Sequence, residues 1–557
     1  MVYLEKLTLA ELGQKAAYKF KEKPAFDLFR DGRTCRRITY REFGNRIRQM
    51  GALLVSLGMK RGDRVMILAE NRPEWPIVYF GAALAGLVTV PALIDFSWEQ
   101  IKIIADHAAV SGICLTEKTA LKAAGAGIDQ AIPRIYIDSF IIDQATETGD
   151  RDSMITVSLY GRKKLLPLQD WIGQFPEIRE DDLASIIYTS GTTGNSKGVM
   201  LSNRNLLFTA GASRTLMKIF PRDRLLSVIP LAHTYECTLG LLTAVMSGAS
   251  TTYLDRPPAQ AVLLPALQTL RPTAMVTVPL FIEKIYRGRI VPALTASPLY
   301  KFPWTRFLAI QLAGYKLTAA LGASIRFFGI GGAPLSEETE TFLRKIQFPY
   351  APGYGLTETA PLVAGTAPYR FPFRSAGSVL KGVEVRIVPG RETAVPEGEI
   401  QVRGPNVMMG YYRDEARTKE AFTPDGWLKT GDLGILDRKG RLFIRGRLKT
   451  MILGPSGENI YPEEIEGLLN TSNLVEDALV YPGERGELVA LIVLSERAKT
   501  MLAAIEDTIG ELKNRANKRL ASFSRITRIE IQHEPFEKTP TQKIKRYLYP
   551  KQIKSGD

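Results

Sequence analysis

The sequence predicts an α/β protein: a large N-terminal domain of doubly wound sheets plus a small β-barrel, followed by a small mobile α/β C-terminal domain. Three observations carry the fold. Apolar runs of strand length alternate with helical patterns over most of residues 1–370. Residues 371–445 change to short strands joined by Gly and Pro turns. After Gly446 a compact strand–helix–strand run follows. At 557 residues the chain has room for about three or four units of ~150 residues and a sizeable core.

In chain order, RVMILAE (Arg64–Glu70), SGICLTE (Ser111–Glu117), LASIIYTS (Leu183–Ser190), RLLSVIP (Arg224–Pro230) and SIRFFGIGG (Ser324–Gly332) read as strands. Trp75–Ile94 is twenty residues without a formal charge, close to the ~20 that cross a bilayer. It contains Pro76, Gly81, Gly86 and Pro91, so it reads as a helix through Ala82–Leu87 running into a buried strand, Val88–Val90. GVEVRIV, GEIQVRG and GRLFIRG supply the barrel-like subdomain, 371–445. Then come MIL, the helix YPEEIEGLLN opened by Pro462, and the strands DALVYP and ELVALIVL. The expected domains are 1–446 and 447–557.

Composition is that of an ordinary globular chain, 45% hydrophobic and 24% charged. Cys35, Cys114 and Cys237 are too scattered for a disulfide framework or a metal site, and suit a reducing compartment. The opening MVYLEKLTLAELGQK has acids and no apolar core, so no secretory signal is expected. The net charge is +15, yet residues 446–557 hold 17 Lys/Arg against 16 Asp/Glu. The excess therefore lies earlier. From Lys284 to Arg326 there are seven basic residues and no acid, interleaved with six aromatics. Trp304, Leu308, Leu312 and Tyr315 fall on one side of a helix. That stretch (284–326) suits either peripheral contact with an anionic membrane or a packed helix pair with a solvated basic face. No nucleic-acid motif accompanies the charge, so no nucleic-acid partner is expected.

The most informative tract is YTSGTTGNSKG, Tyr188–Gly198. Thr189, Ser190, Gly191, Thr192, Thr193, Gly194 and Lys197 combine turn-forming glycines, hydroxyl donors and one cation. Glycines let backbone N–H groups converge, which makes a cradle for a polyphosphate. The order is not Walker A, because Lys197 is followed by Gly198 and no second glycine precedes it at the required spacing. Further blocks follow: PLAHTYE (Pro230–Glu236), RPTAMVTVP (Arg271–Pro279), GGAPLS (Gly331–Ser336), YGLTET (Tyr354–Thr359), RGPNVMMGYY from Arg403, DGWLKTGDLG from Asp425, GRLK from Gly446 and EKTPTQKIKR (Glu537–Arg546).

In these blocks and their order the chain resembles the adenylate-forming enzymes: acyl-CoA synthetases, firefly luciferase and the adenylation domains of peptide synthetases. The match spans roughly Lys23 to Arg546. PLAHTYE, the insertion Arg287–Leu321 and the ending EKTPTQKIKRYLY look most like long-chain fatty acyl-CoA synthetases. The resemblance implies that a carboxylate attacks the α-phosphate of ATP to give an acyl-adenylate, and that CoA then takes the acyl group. Such a transfer rests on charge neutralisation and in-line placement.

Residue by residue, the resemblance implies that Thr189–Lys197 hold the β- and γ-phosphates. Tyr354 and Gly355 would bind adenine beside a wall of Gly331, Gly332, Ala333 and Pro334. Thr357 would contact the α-phosphate and Glu358 would ligate Mg²⁺, a hard cation that takes oxygen ligands. Asp432 would accept from the ribose hydroxyls, with two oxygens for a vicinal diol, and Arg447 would reach ribose or phosphate. His233 would line the acyl pocket. Lys543 would bridge the α-phosphate and the attacking carboxylate, and Lys449 would mark the hinge of the mobile domain. Two departures stand out. Gln542 replaces the usual glycine, and ILGPSGENIYPEE lacks the lysine that relatives carry near Leu453, so the CoA thiolate is expected to suffice for the second half-reaction without a dedicated protein catalyst.

Three alternatives stay open: transfer of the fatty acid to acyl carrier protein instead of CoA, oxidation of the adenylate as in luciferase, and a non-catalytic, lipid-binding membrane-associated protein on a retired enzyme fold. The expected setting is cytoplasmic, peripheral at the inner face of a membrane. Chain length and oligomeric state are not legible.

Overall fold

The computed structural model describes residues 2–129, 132–138, 154–159, 162–167, 175–189, 197–389, 397–453, 459–483, 487–499, 505–539 and 544–549. Two large sheets organise the first 447 residues. In the nine-stranded one, Arg64–Leu68 lies between Val88–Pro91 and Val110–Leu115, all parallel. Leu183–Thr189 joins beside Val88–Pro91, then Lys197–Ser202 and Gly410–Tyr411 follow in antiparallel order.

The thirteen-stranded sheet has a parallel centre: Ser250–Leu254, Arg224–Leu226, Ala274–Thr277, Phe327–Ile330 and Tyr350–Tyr354. Tyr350–Tyr354 is the seam. It pairs in parallel with Phe327–Ile330 and antiparallel with Ala364–Gly365. The strands of the expected barrel, Gly377–Val379, Glu384–Val388, Gly398–Arg403, Leu428–Leu436 and Arg441–Arg447, continue this sheet from that seam in antiparallel pairs.

Helices between strands bury apolar faces and carry local caps. Thr8, Thr39 and Ser97 each accept from a backbone N–H three residues on. Ser202 ends its strand and opens the helix Asn203–Met217 in a reciprocal box with Asn205. The uncharged stretch forms the helix Glu74–Leu84 and the strand Val88–Pro91. The helix begins well before Ala82, because Pro76 lies in its first turn, where a missing N–H costs nothing. It is buried on every side, as a helix apolar all round must be. A Cβ on Gly81 would lie 2.6 Å from the Met50 side chain, so glycine lets Tyr40–Ser56 pack close.

Beyond Lys449 a three-stranded sheet, Val475–Pro482, Leu488–Leu494 and Ile526–Gln532, packs with the helix Pro462–Leu469 around its own core. Among the described residues no helix is long and apolar enough to cross a membrane.

Candidate active site

Lys197 opens its strand in register with Thr189, so both ends of the glycine-rich tract sit side by side. Ser190, Gly191, Thr192, Thr193 and Gly194 lie outside the described residues. The Lys197 ammonium stands 4.8 Å from the centre of the Tyr411 ring. The Tyr411 hydroxyl donates to Glu358 Oε1 at 3.0 Å. Burial, then the Glu358 carboxylate, push the Tyr411 phenol up, so it stays a donor.

Backbone hydrogen bonds fix the same junction. Met408 N–H donates to the Glu358 carbonyl at 2.9 Å, Met409 N–H to Met200 at 3.0 Å, and Tyr412 N–H to Gly198 at 2.7 Å. Asn205, one turn into the following helix, donates to the carbonyls of Pro405 and Val407, each at 2.8 Å. The RGPNVMMGYY block is thus a brace between the glycine-rich tract and YGLTET. Reading the sequence gave that block no role.

Asp432 is 4% exposed. Tyr354 donates its hydroxyl to Asp432 Oδ2 at 2.8 Å, and Arg447 Nε lies 3.1 Å from Oδ1. Asp432 and Arg447 are direct partners in the ladder between Leu428–Leu436 and Arg441–Arg447. Each carboxylate oxygen carries two acceptor lone pairs, the donor-accepting geometry that a vicinal diol needs. Burial, then the Asp432 charge, raise the Tyr354 phenol well above its ordinary value.

Gly355 follows the strand, and a Cβ there would lie 1.9 Å from the Pro361 carbonyl oxygen. Only glycine fits. Thr357 and Glu358 sit in the single helical turn Thr357–Thr359, closed by Leu356 N–H to Thr359 Oγ1 at 2.9 Å. Gly331 N–H donates to Thr277 at 3.1 Å, while Gly332 takes φ +87°, a left-handed conformation that favours glycine. Gly332, Ala333 and Pro334 are exposed, which leaves this wall open to a ligand.

The PLAHTYE block packs behind that wall. The Tyr235 ring would touch a Cβ on Gly331 at 3.2 Å. His233 is half-buried and starts the turn into the wide helix Glu236–Leu242, with Cys237 N–H on its carbonyl at 3.0 Å. Glu236 is 1% exposed, and its Oε2 has no hydrogen-bond partner among the described residues. Burial pushes its carboxyl up to about 8. Gly240 makes room for it, since a Cβ there would lie 2.6 Å from Glu236 Oε1.

Lys449 lies exposed in a turn, Met451 N–H closing back on Arg447 at 2.9 Å. Lys543 lies outside the described residues. Its flanks are fixed: Lys538 bridges Ile544 in antiparallel fashion and pairs with Asp477 at 2.7 Å, and Arg546 pairs with the buried Glu466. His107, which the sequence left without a role, accepts or donates through Nδ1 at 2.7 Å from the Tyr188 hydroxyl and packs edge-on against Tyr188 and Tyr412. It supports the root of the glycine-rich tract. Burial, then nearby Arg413, lower its pKa and favour the neutral ring.

The site therefore offers a cation (Lys197) and a carboxylate (Glu358) on the same tyrosine, and a buried carboxylate with a guanidinium (Asp432, Arg447). Tyr411 and the short segment Tyr354–Glu358 join them. Among the described residues no three His, Cys, Asp or Glu side chains gather as a metal cage. Glu358, held through Oε1, suits a cation that takes one protein carboxylate and its other oxygens from a ligand.

Comparison with known proteins agrees in extent. A family model described as AMP-binding enzyme matches residues 13–412, and one described as AMP-binding enzyme C-terminal domain matches 449–555. The chain is 31% identical to the long-chain-fatty-acid–CoA ligase FadD15 of Mycobacterium bovis, over 91% of this chain and 90% of that protein. It is 31% identical to the peroxisomal long chain acyl-CoA synthetase 6 of Arabidopsis thaliana, over 91% and 79% respectively. The fold is similar to that of the ATP-bound RpMatB-BxBclM chimera (TM-score 0.74, 25% identity, 97% of this chain and 98% of that one). It is also similar to that of o-succinylbenzoate CoA synthetase from Bacillus subtilis in complex with AMP (TM-score 0.74, 23% identity, 98% of each).

Proposed function

Because the chain belongs to the AMP-binding enzyme family, we propose that it is an acid–thiol ligase that activates a long-chain fatty acid. The fatty carboxylate attacks the α-phosphate of ATP, giving acyl-adenylate and pyrophosphate. The CoA thiolate then attacks the acyl carbon, giving acyl-CoA and AMP. The substrate class rests on the likeness to relatives named long-chain ligases. A long chain gains roughly 0.8 kcal/mol per buried CH₂, so pocket length can set the preference.

The observation that carries the catalytic reading is the convergence of Lys197, Glu358, Tyr354, Asp432 and Arg447 from distant blocks. In this reading Thr189–Lys197 take the β- and γ-phosphates, Thr357 the α-phosphate, and Asp432 with Arg447 the ribose. Gly331–Pro334, Tyr354 and Gly355 bound adenine, and His233 lines the acyl pocket. Magnesium at Glu358 would neutralise phosphate charge. The domains are 1–446 and 447–557, and the second swings at Lys449 to bring Lys543 in and out. Lys543 stabilises charge built up during adenylation.

Lys543→Ala is expected to cut ATP–pyrophosphate exchange on the order of 10²-fold or more. Thioester formation from supplied acyl-adenylate should survive. Equal loss of both halves would contradict the two-state assignment. Acyl carrier protein is the second acceptor reading, favoured by the +15 charge, which suits an acidic carrier; the relatives' names favour CoA. The enzyme works in the cytoplasm and meets a membrane peripherally, where long-chain acids reside.

A further inference from the structure

The basic, aromatic stretch between Lys284 and Arg326 presents an apolar face outward. Its longest helix, Arg306–Ala320, buries Ala309, Ile310, Ala313, Gly314 and Leu317. These residues are mostly small and let the helix approach its neighbour closely. A Cβ on Gly314 would lie 2.6 Å from the Ile346 side chain, and Gln311 donates to the Lys345 carbonyl at 2.9 Å. The helix cannot roll to hide its other side. There Phe307, Leu308, Leu312 and Tyr315 are exposed, Tyr315 at 75%. Just ahead, Trp304 is 80% exposed and stacks on exposed Phe302, ring centres 5.6 Å apart.

So many large apolar side chains on one rigid face mark an interaction surface. The charge around it selects the partner. Lys301, Arg306 and Lys316 are exposed within the same segment, and no acid lies between Lys284 and Arg326. On the helix Glu337–Lys345 that supports it, Glu337 and Glu338 pair with Arg519 at 3.1 and 3.8 Å.

We propose that this face, Phe302 and Trp304 with the outer side of Arg306–Ala320, docks on an anionic lipid bilayer, its aromatics entering the interface and its cations meeting the headgroups. The docking gives the long-chain reading above a source of substrate and rests on it for that purpose. Trp and Tyr suit the interface, where one end of the side chain is apolar and the other wet.

The test is co-sedimentation of the full chain with vesicles of mixed phosphatidylcholine and phosphatidylglycerol, and with phosphatidylcholine alone. Wild type is expected on the mixed vesicles, released by high salt. A Trp304→Ser, Phe307→Ser, Leu312→Ser variant and a Lys301→Gln, Arg306→Gln, Lys316→Gln variant should each bind on the order of tenfold or more weakly. Both should turn over octanoate at the wild-type rate without vesicles, which shows them folded. A Tyr18→Ser, Lys21→Gln variant, altered at a different exposed tyrosine–lysine pair, should bind as wild type does. Undiminished binding by both triple variants overturns the proposal, as does loss of binding in the Tyr18/Lys21 variant alone. Self-association of wild type that the Ser variant abolishes, with no vesicle binding, would make the face a contact between copies and overturn it too. Vesicle binding with no turnover of any acid from octanoate to icosanoate by wild type would leave the docking standing and sink the substrate reading.

Discussion

At the scale of single residues, Glu236 sits in an environment far from water, 1% exposed. Its carboxyl titrates at about 8 instead of 4.5 because burial penalises the charged form. The folded chain therefore holds a proton that the unfolded chain releases. That contribution to stability is fully present below pH 4.5 and is lost as pH rises through about 8. Thermal unfolding of wild type is expected to fall more steeply between those pH values than that of Glu236→Gln, which cannot titrate. Parallel slopes would contradict the buried neutral acid. Residues of this kind were half legible. PLAHTYE and TGD marked Glu236 and Asp432 as belonging to chemical blocks. That Tyr354 and Arg447 share the Asp432 carboxylate depended on a ladder register that composition does not encode.

Among elements, the brace from Val407 to Tyr412 holds the strand after the glycine-rich tract in register with the turn that carries Glu358. Its pairing to Gly198–Met200 and to Glu358 joins segments far apart in sequence, and no local periodicity announces such a contact. The strands themselves were legible, because apolar runs such as LASIIYTS and ELVALIVL match Leu183–Thr189 and Leu488–Leu494. RLLSVIP ends early, at Leu226, where the chain leaves the sheet toward PLAHTYE. The exposed helix was legible as a periodicity but not in its orientation. Small Ala and Gly residues claimed the buried side by close approach, and the large ones were left outside. The tightest element is the turn at Gly355, where the Pro361 carbonyl occupies the place of a Cβ. Gly355→Ala must shift the backbone that carries Thr357 and Glu358. Adenylation should fall on the order of 10²-fold, as for misplacement by about 1 Å, with the global fold retained by circular dichroism. Unchanged exchange activity would show that the turn tolerates the shift.

For the whole molecule, the layout places Tyr354 on the seam between a parallel sheet and its antiparallel continuation, with a separately cored C-terminal unit beyond Lys449. Net positive charge lies almost wholly before residue 446, and a rigid aromatic face opens on the same part. A machine that adenylates a membrane-soluble acid has use for both. The most direct measurement is Mg²⁺-dependent release of AMP from ATP over acids from acetate to icosanoate, with and without CoA. Release that peaks with long acids and requires CoA is predicted. Slow adenylate formation indifferent to CoA, or release that peaks with short acids, would contradict a long-chain acyl-CoA synthetase.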